Sequence, residues 1–454
     1  MPSRGLLSGP GGLAIASGAA YAALAFAGDL RSRLGLFLAL YAGLFALYLW
    51  AARTALAPDG GRDERDERLP LILGAALAFR LILLPAAPSL SDDVYRYVWE
   101  GGLQLEGINP YAYAPSDPAL ARYRDGIYEG IGYKELPAIY PPVMQWAFAA
   151  GAALGRSVIA MKAVFIAADM ALAGLLVCIL RARGMPAGRV IIYAWNPLVV
   201  VEVAGSGHND SLAVFFLLAS TLAIIRDRKI LSMTALGASA LCKLYPISLL
   251  PLFARGAKRW SLLLPPALVA ACYLPYAAAG ANLFRSATEY AQRWRFNDSL
   301  FTLLELCAAG SGISAPAKVW LDARGWPSIY SQPHMIARAL AGLAALAGLA
   351  ILSIRSRRDP EAHPIEKGIL LFTGLVLLLQ PTLHPWYLIW ILPWLALCPS
   401  PAWIALTGLI PLSYLGDGWI RWVEYVPFFA LLLTTRDARS RVIEWLERPW
   451  RAAT

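Results

Sequence analysis

Two adjacent acids, Asp92 and Asp93, close a long apolar run and open "SDDVYRYVWEGGLQLEGINPY", residues 91–111. A carboxylate at a membrane surface can take the proton of an acceptor hydroxyl as it attacks. A second carboxylate beside it can bind while the first accepts the proton. Capping is the competing explanation, because Ser91 suits an N-cap and first-turn acids favour the helix dipole. Val94, Tyr97, Val98, Gly101 and Leu105 recur at helical spacing, so the stretch is expected to form a short amphipathic helix lying on the membrane. Tyr111, Tyr113 and Trp99 add rings suited to stacking on a sugar or a lipid head.

Four further clusters carry chemistry-bearing residue types. His208, Asn209 and Asp210 form the polar tip of "WNPLVVVEVAGSGHNDSLAVFF", following Glu202. They suit an acceptor hydroxyl or a water, or the orienting of a catalytic acid; a hairpin turn capped by Asp210 is the plainer account. One His and one Asp make a weak metal signal, so the pattern requires no cofactor and leaves a divalent metal open. Lys243, with Tyr245 two residues on, sits inside "ALCKLYPISLLP". A lysine at the bilayer centre costs roughly 2.5–3.5 kcal/mol, which favours an anion partner such as a lipid phosphate over mere snorkelling. His384 stands in "QPTLHPWYLIWILPW", where an aromatic belt explains the Trp and Tyr but not the histidine. Arg293 and Arg295 flank an aromatic in "EYAQRWRFNDSLF", an arrangement suited to a phosphate. Arg80 and Asp169 fall inside apolar runs and are expected to pair structurally; Asp417 and Glu424 stay ambiguous.

The elements that must position these residues are apolar spans. The 454-residue chain is 58% hydrophobic and only 15% charged, against about 25% charge in soluble domains. Runs of the ~17–25 residues needed to cross a bilayer recur near 12–28, 34–56, 69–88, 160–180, 188–204, 210–225, 261–280, 332–353 and 366–380, with a packed group from 386 to 435. The first run lacks a convincing cleavage site and reads as a retained span. Five scattered cysteines imply no disulfide framework. Basic clusters at Arg181/Arg183/Arg189, Arg226/Arg228/Lys229, Arg255/Lys258/Arg259, Arg355/Arg357/Arg358 and Arg436/Arg439/Arg441 place those turns in the cytoplasm. They also account for the net charge of +10 without any nucleic acid. Residues 90–140, with eight acids against four bases, then lie outside, together with 205–210, 281–331 and 380–386. Residues 142–155 are too short to cross and suit an interfacial helix. Residues 230–253 suggest two half-helices meeting at Lys243–Pro246, which membranes tolerate only where the freed backbone is buried or lines a wet cavity.

"SDDVYRYVWEGGLQLEGINPYAYAP", "YPP", "WNPLVVVEVAGSGHND", "CKLYPISLLPL" and "HPWYLIWILPW" occur in this order over nearly the whole chain. Together they resemble the polytopic GT-C glycosyltransferases, especially the polyprenol-phosphate-mannose-dependent mannosyltransferases of the DUF2029-like group. The resemblance implies an all-α bundle of about 11–13 transmembrane helices forming one domain over 1–454. It also implies a large extracytoplasmic first catalytic loop with short amphipathic helices, and a second outer loop at 281–331. It implies inverting transfer of a hexose, mannose first, from a polyprenyl-phosphate sugar to a lipid-linked or cell-envelope glycan acceptor, outside a bacterial plasma membrane. Asp92 or Asp93 would be the base. By position, Lys243, Arg293 and Arg295 would meet the donor phosphate, and His208, Asn209, Asp210, Tyr245, His384 and Tyr111 would line the substrate pocket. The rivals are a transporter or flippase using Arg80, Asp169 and Lys243 as a pathway, a GT-C enzyme of other specificity (lipid A pentose transfer, polymer ligation), and a non-catalytic assembly subunit.

Overall fold

A computed structural model describes residues 10–56, 67–255, 257–416 and 418–447. Asp417 lies outside the described residues, as do the side chains of Arg436, Arg439 and Arg441. The described chain is α-helical, and its one β-type contact is an isolated parallel bridge between Phe296 and Thr382. This is an all-α polytopic membrane protein.

Helices α1 (Pro10–Phe26) and α2 (Leu34–Ala55) form a hairpin, and α3 (Leu69–Leu83) packs on α1. The amphipathic α4 (Asp93–Leu105) lies on α5 (Pro142–Leu154), and both lean on α6 (Val158–Ala182). Next come α7 (Asp210–Ile225) and α8 (Lys229–Ala240), the latter followed by helical turns at 245–253. Two longer elements, α9 (Pro333–Arg358) and α10 (Ile365–Leu379), precede the closing α11 (Ile420–Glu447). Four stretches among the described residues, Leu34–Thr54, Val158–Ala182, Arg259–Arg293 and Pro333–Arg358, are long and apolar enough to cross a membrane. The number rises to six if the bent pairs Ala187–Ala194 with Pro197–Gly205 (54°) and Leu300–Gly310 with Ser314–Asp322 (78°) each count as one. Shorter apolar helices at Pro10–Phe26, Leu69–Leu83, Asp210–Ile225 and Pro401–Leu415 complete the bundle.

The 25 residues of α6 span about 37 Å at 1.5 Å per residue, enough for the hydrocarbon core. One end carries Lys162, whose Nζ donates to the carbonyls of Leu83 and Ala86 at 3.1 and 2.8 Å, close to the aspartates. The other end carries Arg183, which pairs with Glu366 at 2.6 Å. Arg255 donates to the Ser356 carbonyl at 3.2 Å, which ties two further basic clusters together. The segment 229–255 starts at one basic cluster, turns at Lys243 and returns to another, as its two half-helices require.

Arg80 and Asp169 meet as a fully buried ion pair. Arg80 also donates to the carbonyls of Ala76 and Ala194, both at 2.9 Å, and Tyr193 donates to the other Asp169 oxygen. Through Nε and Nη1 of Arg80 and both oxygens of Asp169, the pair ties three helical segments together, while Arg80 Nη2 is buried without a partner among the described residues. Two of the three charges that a transport pathway would use, Arg80 and Asp169, are thereby engaged with each other.

The helix of the aspartates departs from its expected surface position. Trp99, Glu100 and Leu103 are buried along with Val94, Tyr97, Val98 and Gly101, while Leu105 is exposed. Its inner face rests on protein: Tyr97 stacks on Phe148 with centroids 4.6 Å apart. Gly101 makes the approach possible, because a Cβ there would overlap the Phe148 carbonyl. Glu100 is held by Gln145 at 2.6 Å and by Arg96 at 3.3 Å.

Candidate active site

Asp92, Asp93, Lys243, Tyr245 and His384 all line one cavity of about 650 Å³. Its walls come from the start of α4, the 132–141 loop, the Lys243–Tyr245 turn, residues 286–296, the 380–390 segment and the 413–416 turn. Arg96 fixes the mouth: its guanidinium donates to the carbonyls of Gly132, Tyr133 and Leu136 at 3.1, 2.6 and 2.9 Å.

Both aspartates line this cavity, but in different settings. Asp92 is exposed and lies against Gly132. It stands at the N-cap of α4, yet its side chain makes no capping hydrogen bond; the Asp93 amide donates instead to Ser91 Oγ at 3.3 Å. Ser91 thus supplies the capping contact and Asp93 stands in the first turn, as the spacing predicted, while the Asp92 side chain caps nothing. Asp93 keeps 35% of its side-chain surface and lines the cavity. Desolvation, and then the neighbouring Asp92 charge, push its carboxyl up from 3.8 to about 6, against the opposing pull of Lys243 and Arg96. Tyr97 donates to Asp93 at 3.4 Å and shares a 3.0 Å hydroxyl contact with Tyr140.

Lys243 projects from the broken helix onto the cavity wall and forms an ion pair with Asp210. Trp390 Nε1 donates to the same Asp210 oxygen at 2.6 Å. The ammonium sits 4.9 Å from the Tyr387 ring centre and 5.1 Å from that of Trp390, so two aromatic faces share its charge. Tyr245 stacks on Trp390 at 4.3 Å and 9°. A second stack runs Phe296, His384, Trp386, His208, with successive centroids 4.6, 4.3 and 3.7 Å apart. The Phe296–Thr382 bridge holds its outer end: Leu383 N donates to the Phe296 carbonyl at 2.7 Å. Burial, and then the nearby Lys243 charge, drive the His384 ring down to about 3, so it is neutral at physiological pH.

Several residues expected in the pocket stand elsewhere. His208, Asn209 and Asp210 are buried immediately behind the wall; Asp210 acts as the partner of Lys243 and Trp390 rather than as a cap. Tyr111 is buried away from the cavity, where its hydroxyl donates to the Tyr140 carbonyl at 2.5 Å and its ring packs on Tyr273 and Tyr276. Arg293 is largely exposed beside Glu289, and Arg295 is engaged by Asp298 at 2.6 Å and by Glu305. Neither arginine is among the cavity-lining residues, because the chain turns their intervening Trp294 and the following Phe296 inward instead. Glu424 accepts from Asn297 Nδ2 at 2.8 Å, a structural bond. Among the described residues no group of three or more His, Cys, Asp or Glu is placed to hold a metal ion.

Sequence reasoning missed Tyr140, Tyr290, Arg31 and Tyr414 on the cavity wall, and assigned Trp386, Tyr387 and Trp390 to an aromatic belt. It also passed over Lys162, although a lysine in the apolar run 160–180 was a usable signal.

Residues 10–257 match the family described as alpha-(1->6)-mannopyranosyltransferase, N-terminal domain. The chain belongs to this mannopyranosyltransferase family. Residues 324–410 match the MptB C-terminal domain. No curated protein and no solved structure matched. The protein is thus a membrane mannosyltransferase of the GT-C group. Within the mannopyranosyltransferase match fall Asp92, Asp93, His208, Asp210 and Lys243; His384 falls in the second match, and Arg293 and Arg295 fall between the two.

Proposed function

We propose that this mannosyltransferase moves mannose from a polyprenyl-phosphate donor to a hydroxyl of a lipid-linked or cell-envelope glycan, on the extracytoplasmic side of a bacterial plasma membrane. The observation that carries the reading is Asp93: a carboxylate on the wall of an aromatic-lined cavity, facing the same space as Lys243. Asp93, rather than the exposed Asp92, is the base. The acceptor O–H gives its proton to Asp93 as oxygen attacks the anomeric carbon, and the anomeric C–O bond breaks with its electron pair leaving on the phosphate. Attack opposite the leaving group inverts the anomeric centre. Lys243 balances the phosphate by exchanging Asp210 for it. Tyr245 and Tyr387, stacked on Trp390 at 4.3 and 4.6 Å, offer ring surface to the sugar or to the first isoprene units. Lys243 fills the role first given jointly to it and to the two arginines. The gathering of basic clusters at the far end of α6 supports the sidedness.

Purified protein given radiolabelled polyprenyl-phosphate mannose and a glycan acceptor tests the assignment. Asp93→Asn is expected to lose 10²–10⁴-fold in kcat, the order for removing a general base, whereas Asp92→Asn keeps transfer within about tenfold. Undiminished transfer by D93N would remove Asp93 from the reaction.

A further inference from the structure

His208 has a role that substrate contact does not describe. It is wholly buried, and neither ring nitrogen has a hydrogen-bond partner among the described residues. Each nitrogen nonetheless faces one carboxylate: Nδ1 lies 3.6 Å from Asp93 Oδ2, and Nε2 lies 3.5 Å from Glu202 Oε2. Both gaps are a few tenths of an ångström beyond hydrogen-bond length, a looseness common before substrate closes a site. The ring plane is set by Trp386, stacked at 3.7 Å and 17°. Glu202 is itself anchored, since its other oxygen accepts from Tyr414 at 2.8 Å, and Tyr414 returns to the cavity wall.

The backbone builds this row deliberately. Residues Val200–Gly205 form a wide π-helical turn, a form that recurs at functional sites, and Glu202 lies in it. The His208 amide closes on the Glu202 carbonyl at 2.9 Å. Gly207, at φ +82°, makes the reversal, and a Cβ there would collide with Val94 and Lys162. His208 is thereby pressed against the first turn of α4, directly behind Asp93.

We propose that His208 is a positioning residue for the base: Nδ1–H holds one oxygen of Asp93 from behind, the carboxylic O–H of a protonated Glu202 donates to Nε2 and so fixes that tautomer, and Trp386 sets the plane, leaving the other Asp93 oxygen for the acceptor hydroxyl. The inference rests on Asp93 being the base. The imidazole works in its neutral form, because burial, followed by the charges of Lys243 and His384, keeps it well below its ordinary value. Around Asp93 itself stand Asp92, Lys243, Arg96, Asp210 and the Tyr97 hydroxyl. A donor on the carboxylate favours its charged form, so losing that donor raises the pH at which the base is protonated.

The test is the kcat/KM–pH profile of purified enzyme with the radiolabelled donor, for H208L, H208N and E202L. Asparagine places an amide nitrogen near the position of Nδ1, so it keeps the donor toward Asp93. H208L is expected to lower kcat about 10–100-fold, the range seen when an orienting partner is removed, with donor KM within about twofold and the acidic limb moved to higher pH. H208N should recover at least half of the lost kcat on a logarithmic scale and restore the limb. An H208L limb at the wild-type position, or H208N no better than H208L, overturns the proposal. Should H208L fail to fold, E202L takes its place, since it removes the donor that fixes the tautomer: a raised limb supports the row, and a wild-type profile overturns it. Full activity in D93N would instead refute the base on which the inference rests, so the two failures are distinguishable.

Discussion

Replacing Asp93 by asparagine is expected to lower kcat by about 10²–10⁴-fold and, at neutral pH, to make the protein more stable. The sign follows from the direction of the shift. The folded protein holds this carboxyl at about 6, above its ordinary 3.8, so ionising it costs more in the native state than in the unfolded chain. That penalty is fully present above about pH 6, fades as pH falls through the folded value, and vanishes below about 4. Two units correspond to about 3 kcal/mol. The side chain keeps 35% of its surface, and solvent in the cavity screens it, which reduces the figure to about 1–2 kcal/mol. The assay is thermal unfolding of wild type and D93N in the same detergent at pH 7.5 and pH 4.5. D93N should unfold about 1–2 °C higher at pH 7.5, from the per-residue unfolding entropy of a chain this size, with the difference closing at pH 4.5. In parallel, wild-type kcat/KM should fall below about pH 6 and retain about 10% of its plateau one unit lower. A D93N variant less stable than wild type at pH 7.5, or an acidic limb near pH 4, would refute the account of Asp93 as a desolvated, strained base.

Arg80→Met leaves Asp169 buried and uncompensated, and should destabilise by about 3–5 kcal/mol, read as loss of folded material in detergent chromatography; changing both partners to leucine should recover much of it. Lys243→Met should raise the donor KM by about 10–100-fold, the worth of one charge-assisted hydrogen bond, while Arg295→Ala, whose guanidinium is already held by Asp298 and Glu305, should change it by less than about threefold. Gly101→Ala forces α4 off the Phe148 carbonyl, at a cost of about 1–3 kcal/mol. Because Asp93 rides on the same helix, kcat should fall more than donor KM rises.

Composition and spacing determined a good deal by themselves. An apolar chain with few charges must be a helical membrane protein, because backbone groups in lipid have to be satisfied within the segment. The basic clusters and the break at Lys243 were likewise legible, as was the Arg80–Asp169 pair, since two opposite charges inside apolar runs have little else to bind. Asp92 and Asp93 could be nominated but not separated. Their difference is environmental: both line the cavity, but Asp92 is exposed while Asp93 is partly desolvated, and sequence carries no dielectric. Arg293 and Arg295 misled for a related reason. A basic pair reads as a phosphate site until its neighbours are seen, and here Asp298, Glu305 and Glu289 had already taken the charge. Tyr111 looked like a sugar platform and is a buried prop for Tyr140. Only the tertiary structure could place His208 between Asp93 and Glu202, because that row joins residues more than a hundred positions apart. Its geometry depends on a wide helical turn, one left-handed glycine and a stacked tryptophan acting together. Residue type tells which groups can exchange a proton; folding decides which of them meet, and how dry the meeting place is.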